Sequence, residues 1–406
     1  MHYHTYTLEN GIRLIHLPGT SPVAYSGFAV NVGARDEQDD EHGMAHFIEH
    51  LLFKGTEKRR SWHILNRMEA VGGELNAYTT KEETFIYSIF PKQHFERAFE
   101  LLSDLVFHSR LPEQEAKKEL EVIVDEIQSY EDNPSELIYD DFENLLFEGH
   151  RLGHHILGTP QSLGQFTLPQ SFAFMRRHYR PDNIVFFSSG DIPFKKIIRL
   201  AEKYTGRIER FSYSSQRIAP ACNVAKRLRV TKETSQAHVM IGSRAYSLHD
   251  DKRLGLYLLN NILGGPGMNS RLNISLREKH ALVYQVDSSV TSYSDTGVFS
   301  IYFGSEKRQM ERCLRLVFKE LKKLCENKLT ASQLDAAKKQ LKGQLGVSAE
   351  NRENNFLNMG KSFLHYNRYD SLSEIYAGID ALDSGLLWDI SNETFDEKGI
   401  SCLVME

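Results

Sequence analysis

Residues 42–56 read HGMAHFIEHLLFKGT, and the elements predicted around this stretch decide the fold. A helix is predicted from about Gly43 to Phe53. Because positions i and i+4 share one helical face, His46 and His50 direct their rings towards one point. Imidazole suits zinc, and a catalytic zinc keeps three protein ligands and one position for water. Glu49 precedes His50 in an H-x-x-E-H arrangement, the inverted form of a zinc-peptidase signature, and lies within reach of such a water.

Two histidines require a third protein ligand, and a second predicted helix over residues 112–130 offers carboxylates. Glu119 and Glu126 are seven residues apart in the sequence, so they lie on the same helical face. Spacing alone does not choose the ligand. His42, one turn before His46, is an alternative ligand, although a residue there more often lies at a helix start or beside the ligands without binding the metal. The plain alternative for the whole motif is an exposed helix with two histidines and a carboxylate.

Strand and helix signals alternate along the chain, and the same order occurs twice. In the first half a strand, two helices, a strand and two helices are predicted at 27–32, 43–53, 61–71, 83–90, 95–107 and 112–130. In the second half a strand, a helix, a strand and two helices are predicted at 237–242, 253–263, 297–303, 309–324 and from 331 onwards. The recurrence predicts two homologous α/β domains, residues 1–215 and 216–406, with a linker near 212–225.

Composition narrows the class of protein. The chain has 406 residues, 41% hydrophobic and 25% charged, as expected for a globular protein with a sizeable core. A net charge of -5 gives no sign of a nucleic-acid binder. The four cysteines, Cys222, Cys313, Cys325 and Cys402, are scattered, which favours a reducing compartment. No signal peptide and no membrane span are recognised, so we expect no membrane association and a cytoplasmic location.

Three motifs carry a resemblance to a known family. HGMAHFIEHLLFKGT is followed by GGELNAYTTKEETFIY at residues 72–87 and by ELEVIVDEI at residues 119–127. Together they resemble the pitrilysin/insulinase family of zinc peptidases, and most closely the branch that contains the mitochondrial processing peptidase and its bacterial relatives. The likeness covers nearly the whole chain. It implies an α+β fold in which each domain is a mainly antiparallel sheet packed with helices.

The resemblance also implies roles for the motif residues. In this family the two histidines and a glutamate 76 residues beyond the second histidine bind zinc, which here gives His46, His50 and Glu126. Glu49 would be the base that activates water, and Glu119 would support the site. The implied activity is that of a zinc metalloendopeptidase that hydrolyses oligopeptides or extended, unfolded polypeptide segments.

The second copy lacks this ligand set. Tyr257, Asn260 and Asn261 align with the motif histidines and glutamate, and the match to the third ligand falls near Val347. Amide and phenol groups in place of imidazole and carboxylate are not expected to hold zinc. We therefore expect one zinc ion per chain, bound by the first domain.

Four residues are assigned to substrate by resemblance. The family has an arginine and a tyrosine seven residues apart that hold substrate near the zinc, and Arg277 and Tyr284 fit. Such groups polarise a carbonyl and stabilise an oxyanion; the alternative is a surface arginine and a core tyrosine. Asn76 and Ala77 lie where relatives have an edge strand to which a peptide adds as a further strand. The alternative for Asn76 is an ordinary turn residue.

The resemblance finally implies a partner. Relatives enclose substrate in a chamber of four α/β domains, and one chain supplies two, so we expect a C2 homodimer. Arg277 and Tyr284 would then complete the zinc site of the partner subunit. Two alternatives stay open: a non-catalytic partner or scaffold subunit of a processing-peptidase-like complex, and a protein with a purely structural zinc site. An intact Glu49 disfavours the latter, because a structural site needs no base.

Overall fold

The computed structural model describes residues 3–211, 213, 216–221 and 224–406. The chain divides into two compact units, each built from three segments. The first comprises Met1–Gln128, His154–Arg217 and Ala349–Asp370, and the second comprises Ser129–Gly153, Ile218–Ser348 and Ser371–Glu406. Residue 215 at the predicted domain boundary and residues 212, 214, 222 and 223 of the predicted linker lie outside the described residues, so the boundary and the linker both stay predictions.

The strands of the described chain are numbered in sequence order. They are β1 (His4–Thr7), β2 (Arg13–Pro18), β3 (Val23–Val30), β4 (Glu74–Thr79), β5 (Thr84–Pro91), β6 (Ile184–Gly190), β7 (Arg227–Val230), β8 (Ala237–Ala245), β9 (Val283–Ser292), β10 (Gly297–Ser305) and β11 (Ser401–Met405).

The α-helices are numbered in the same way. They are α1 (Met44–Leu52), α2 (Ser61–Glu69), α3 (Phe95–Phe107), α4 (Glu113–Glu131), α5 (Pro134–Leu146), α6 (Pro160–Leu163), α7 (Leu168–His178), α8 (Phe194–Thr205), α9 (Arg253–Gly264), α10 (Met310–Glu326), α11 (Ala331–Ser348), α12 (Arg352–Tyr366), α13 (Leu372–Ala381) and α14 (Ser384–Thr394). Every helix and strand predicted above is present, with ends that shift by a few residues. Among these helices none combines the length and the apolar character that crossing a membrane requires.

The two sheets share one pattern of strand pairing. In the first unit the strand order is β1-β2-β6-β3-β5-β4, and in the second it is β7-β11-β8-β10-β9. In each sheet one pair is parallel, β2 with β6 and β7 with β11, and the other pairs are antiparallel. The predicted fold, two homologous and mainly antiparallel α/β domains, is confirmed.

Each sheet is covered on one face by a helix from the other half of the sequence. In the first unit α12 packs Phe356, Met359 and Phe363 against a sheet face that includes Phe85 and Phe187. In the second unit α5 packs against a face formed by β8, β10 and β11. The opposite faces carry the larger cores, with α1 and α3 in the first unit and α9 and α10 in the second. The repeat in the sequence gives no sign of this exchange.

A buried carboxylate fastens α12 to the first unit. Glu83 Oε1 lies 2.6 Å from His365 Nε2 and 3.0 Å from Lys361 Nζ, and Thr80 Oγ1 donates a hydrogen bond of 2.6 Å to Glu83 Oε2. Burial by itself raises the pKa of Glu83, but the hydrogen bond from His365 and the charge of Lys361 outweigh it. The pKa of this carboxyl therefore lies well below its usual value.

Replacing Glu83 tests whether this contact holds α12 in place. Glu83→Gln should lower the free energy of unfolding by roughly 2–3 kcal/mol in urea denaturation, because Lys361 and His365 lose a buried carboxylate. Since folding depresses the pKa, the carboxylate stabilises above about pH 4.3 and loses its effect as the pH falls further. The difference from wild type should shrink as the pH falls below about 4.

The exposed pair Lys92–Asp191 supplies the matched control, since its side chains are 40% and 55% exposed. Asp191→Asn should cost under about 1 kcal/mol. Equal losses in the two variants, or a Glu83→Gln deficit that stays unchanged below about pH 4, would contradict a stabilising role for the Glu83 carboxylate.

Candidate metal centre

Helix α1 is held at its N-terminus by a carboxylate from an earlier loop. Glu37 is fully buried, and its two oxygens accept hydrogen bonds of 2.9 Å from the backbone N–H groups of Gly43 and Ala45. Burial raises the pKa of Glu37, while the two backbone hydrogen bonds act in the opposite direction. Gly43 has a φ of 96°, and a Cβ there would lie 2.8 Å from Gly158 Cα. A glycine is therefore required where the chain enters the helix.

The two histidines of α1 meet one glutamate of α4. His46 Nε2 lies 4.0 Å and His50 Nε2 lies 3.7 Å from Glu126 Oε2. Donor atoms of the three residues all lie within 4.8 Å of one another. Among the described residues, these three side chains form the group of histidine, cysteine, aspartate or glutamate residues that is close enough together to hold a metal ion. The predicted convergence of two rings and a distant carboxylate is thus present.

This donor set fits zinc. Zinc binds nitrogen and oxygen donors at about 2.0–2.2 Å, so tetrahedral donors lie about 3.4 Å apart. The distances to Glu126 Oε2 exceed that value by only a few tenths of an ångström. Burial, with a further contribution from His50, lowers the pKa of His46 to about 3. His46 is therefore neutral at physiological pH, which is the form that binds metal.

Glu119 orients one of these rings and is itself paired. Its Oε2 lies 3.0 Å from His50 Nδ1, which leaves Nε2 of the same ring directed towards Glu126. Its Oε1 lies 2.6 Å from Lys54 Nζ. A carboxylate on the outer nitrogen of a ligand histidine fixes the ring and raises its basicity. Glu119 therefore lies where the resemblance implied, beside the ligands.

Glu49 faces the same space and is tied to the edge strand. Its Oε2 accepts a hydrogen bond of 2.5 Å from Thr79 Oγ1, at the end of β4. Burial raises the pKa of Glu49, while the hydrogen bond from Thr79 lowers it. The Thr79 contact holds one carboxylate oxygen and leaves the other for a water or substrate. A general base needs this combination of fixed position and raised proton affinity.

His42 lies apart from the ligand group. Its Nε2 is 3.1 Å from the carbonyl oxygen of His155, and its ring is tilted by 38° against that of His154, with 4.5 Å between the centroids. Burial, followed by the charge of His154, lowers its pKa to about 4. His42 thus lies just before the start of α1, which agrees with a residue at a helix start and not with a metal ligand.

Asn76 and Ala77 lie on the edge strand of the first sheet. In β4 they pair with Tyr87 and Ile86 of β5, and β4 is the last strand in the order of that sheet. Asn76 is therefore a strand residue, so the alternative of a turn is wrong. Its side-chain amide has no hydrogen-bond partner among the described residues. An edge strand of this kind offers backbone groups to a further strand.

Arg277 and Tyr284 belong to the second unit. Arg277 lies in a short π-helix, Asn273–Glu278, with its side chain 45% exposed. Tyr284 lies near the start of β9, the edge strand of the second sheet, and is 88% exposed. The alternative of a core tyrosine is therefore wrong. The role of Arg277 and Tyr284 at the metal centre stays a prediction.

The second unit carries different groups at the positions of the motif. Asn260 on α9 donates a hydrogen bond of 3.1 Å from Nδ2 to the carbonyl oxygen of Ser288 on β9. Asn261 is buried, whereas Val347 at the end of α11 is 77% exposed. These side chains offer no imidazole or carboxylate donor.

Three residues with clear contacts at the centre were not predicted: Glu37, Lys54 and Thr79. Lys54 carried no helical signal, because it lies beyond the end of α1 at Leu52. Thr79 carried a weak signal, since it ends the strand already assigned to substrate. Glu37 carried none, because its contacts depend on how the loop before α1 folds.

The fold and the donor set define the class of protein: a two-unit α+β protein with a candidate metal centre of the hydrolytic type. Residues 15–160 match the family model described as Insulinase (Peptidase family M16), and residues 165–341 match the Peptidase M16 inactive domain. The chain belongs to the insulinase family, peptidase family M16. The resemblance seen in the three motifs is thereby confirmed.

Several bacterial relatives cover most of the chain and are named as zinc proteases. The uncharacterized zinc protease YmxG of Bacillus subtilis is 32% identical over 98% of this chain and 97% of its own length. A zinc protease of Streptomyces coelicolor is 32% identical over 92% of this chain and 83% of its own. A zinc protease of Rickettsia bellii is 30% identical over 98% of this chain and 96% of its own length.

Solved structures share the fold at low sequence identity. A protease from Helicobacter pylori has a TM-score of 0.93 at 22% identity and covers 100% of this chain and 99% of its own. A peptidase M16 inactive domain from Pseudomonas fluorescens has a TM-score of 0.92 at 19% identity, with coverage of 100% and 98%. Both likenesses concern the fold alone.

The contact between Glu119 and His50 predicts an effect on metal affinity. Glu119→Ala should weaken zinc binding by roughly 10- to 100-fold, because the His50 ring loses the group that orients it. Competition with a chromophoric chelator measures this. Glu121→Ala is the matched control, since Glu121 lies exposed on the same helix. Equal affinities in the two variants would show that the Glu119 contact does not support the metal.

Proposed function

We propose that the protein is a zinc-dependent metalloendopeptidase that hydrolyses oligopeptides or extended, unfolded polypeptide segments. The observation that carries the proposal is the convergence of His46, His50 and Glu126, with the Glu49 carboxylate on the same helix as the two histidines. The zinc-protease names of the bacterial relatives support it. The second half carries no ligand set at the aligned positions, so the proposal includes one zinc ion per chain.

The chemistry follows from the side chains around the centre. A zinc ion held by His46, His50 and Glu126 supplies a Lewis acid that makes water more acidic and stabilises negative charge. Glu49 takes the proton from the attacking water on its free carboxylate oxygen, while Thr79 holds the other oxygen. Glu49 then delivers the proton to the nitrogen of the departing amine. Glu119 keeps the His50 ring in place throughout.

Substrate selection is proposed to work through the backbone. A peptide bound along β4 would form main-chain hydrogen bonds with the edge strand, and the Asn76 amide would bond the peptide beside the scissile bond. Ala77 offers a small side chain next to it, which leaves room for varied residues. Recognition of this kind requires an extended substrate, so unfolded segments and short peptides are the expected substrates.

Exchange of the proposed base tests the reaction directly. Glu49→Gln should retain zinc, since the three ligands are unchanged, and should lose roughly 10²- to 10⁴-fold in kcat/KM because no group removes the proton. Zinc content by elemental analysis and cleavage of a quenched fluorescent peptide, with and without chelator, give the two readouts. Glu121→Gln serves as the control.

The outcomes separate the alternatives. Zinc bound with no cleavage even in the wild type would favour a structural zinc site, and neither zinc nor cleavage would favour a non-catalytic partner subunit. Cleavage that persists in Glu49→Gln, or in the presence of chelator, would contradict the proposed mechanism.

The proposal extends to assembly and location. A C2 homodimer would bring four α/β units together, with Arg277 and Tyr284 of one subunit serving the zinc site of the other. The exposed phenol of Tyr284 supports a role in contacting a ligand. Arg277 and Tyr284 would then stabilise the oxyanion that forms on the scissile carbonyl. A cytoplasmic location agrees with the free thiols of Cys313, Cys325 and Cys402 in the described chain.

Mixed dimers test whether these residues act across subunits. A dimer purified through two different tags, with Glu49→Gln on one chain and Tyr284→Phe on the other, should show about half of the wild-type activity, because one site is complete. In the control dimer one chain carries both substitutions and the other none, and it should show little activity. The reverse pattern would mean that Tyr284 serves its own chain, and a monomer in sedimentation would contradict the assembly.

A further inference from the structure

The second unit contains a cavity whose walls are mainly cationic. Its volume is about 420 Å³, which lies in the range of small-molecule sites. Four cationic side chains, Arg271, Lys279, Lys323 and Lys328, line it together with one carboxylate, Glu320. This concentration of positive charge stands out in a chain whose net charge is -5.

The single carboxylate is already neutralised. Glu320 is buried, with its side chain 11% exposed, and its Oε1 lies 2.7 Å from Lys323 Nζ. With one carboxylate against four cations, the lining keeps an excess of three positive charges. Within the described residues, Arg271, Lys279 and Lys328 make no ion pair, although the Lys328 ammonium lies 5.0 Å from the centroid of the Trp388 ring.

Arg271 is the most constrained of the three cations. It is only partly accessible to solvent, and burial lowers its pKa, with Glu320 acting in the opposite direction. A desolvated guanidinium without a hydrogen-bonded anion is unfavourable, so the position is suited to an anionic ligand. The planar guanidinium donates two parallel hydrogen bonds to a phosphate or carboxylate group, and lysines add point charges around it.

Neutral groups complete the walls. Ser275 and Gln333 line the cavity, and the Gln333 Oε1 atom already accepts a hydrogen bond of 3.0 Å from the Thr330 N–H. That contact directs the remaining Nε2 donor away from the helix backbone. Leu329 and Ile274 supply apolar surface. Donors therefore outnumber acceptors in the cavity, as expected of a site for an anion with several oxygen atoms.

We infer that this cavity binds a small anion that carries a diphosphate group. Four cations and one carboxylate leave an excess of three positive charges in the cavity lining, which matches the charge of a diphosphate better than that of a single carboxylate or sulfate. The four cations surround a single cavity of about 420 Å³, whereas a nucleic acid needs cationic side chains spread along many phosphates. The inference concerns the second unit alone and does not rest on the proposed peptidase activity.

Calorimetric titration of the full-length, zinc-loaded protein tests the site, with inorganic pyrophosphate, ADP and citrate as separate probes. Arg271→Gln should weaken pyrophosphate binding at least about tenfold, since it removes two charge-assisted hydrogen bonds. Lys328→Gln, an exposed residue whose loss does not threaten folding, should weaken it roughly threefold. Lys319→Gln is the control, because it removes the same charge from α10 outside the cavity, and binding should be unchanged.

The relative affinities of the three probes identify the ligand. Tighter binding of ADP than of pyrophosphate would identify a nucleotide as the ligand, and the opposite order would identify a free inorganic anion; both support a diphosphate site. Citrate binding as tight as pyrophosphate would overturn the assignment to phosphate. The absence of saturable binding would overturn the site itself. Binding that Arg271→Gln and Lys328→Gln leave unchanged would also overturn it, because the pyrophosphate would then be bound to the zinc ion and not in the cavity.

Discussion

The metal centre depends on bringing three carboxylates and two imidazoles into one small region of the first unit. Glu119 is compensated by Lys54 at 2.6 Å, but Glu49 and Glu126 have no ion pair with lysine or arginine among the described residues. Like charges this close repel one another and oppose the folded arrangement. A divalent cation would remove that repulsion, so the proposed binding of zinc would also stabilise this region. The neutral state of His46 agrees with this requirement, because a protonated ring would repel the cation.

The surrounding fold keeps these groups in position before any metal binds. Most of α1 is buried in the core of the first unit, and Glu37 closes its N-terminus with two hydrogen bonds. At the other side, Thr79 connects the Glu49 carboxylate to the edge strand β4. The base is therefore positioned by the same strand that is proposed to receive substrate. A peptide that pairs with β4 would be placed in a fixed register with the base, which is how alignment contributes to rate.

The parts of this arrangement that could be predicted from the sequence are those determined by local periodicity or by a motif. Helical spacing brought His46, His50 and Glu49 together, and the motif pattern chose Glu126 over Glu119 as the ligand. Contacts set by tertiary folding were not predictable in this way. Glu37 is nine residues from His46 in the sequence, yet its role depends on a loop with no periodic signal. The exchange of α5 and α12 is likewise invisible, because an apolar helix face does not specify which sheet it covers.

The duplicated unit shows which of these contacts serve the fold and which serve the chemistry. Asn260 aligns with Glu49, and both side chains form a hydrogen bond with the edge strand of their own sheet, Ser288 on β9 and Thr79 on β4. The link between helix and edge strand is thus kept in both units. In the second unit the neutral amide of Asn260 forms this hydrogen bond. No carboxylate is buried at that position, so no cation is needed to balance its charge. Because an amide satisfies the structural need, folding alone does not require a carboxylate at position 49, and its raised pKa agrees with the proposed role of Glu49 in proton transfer.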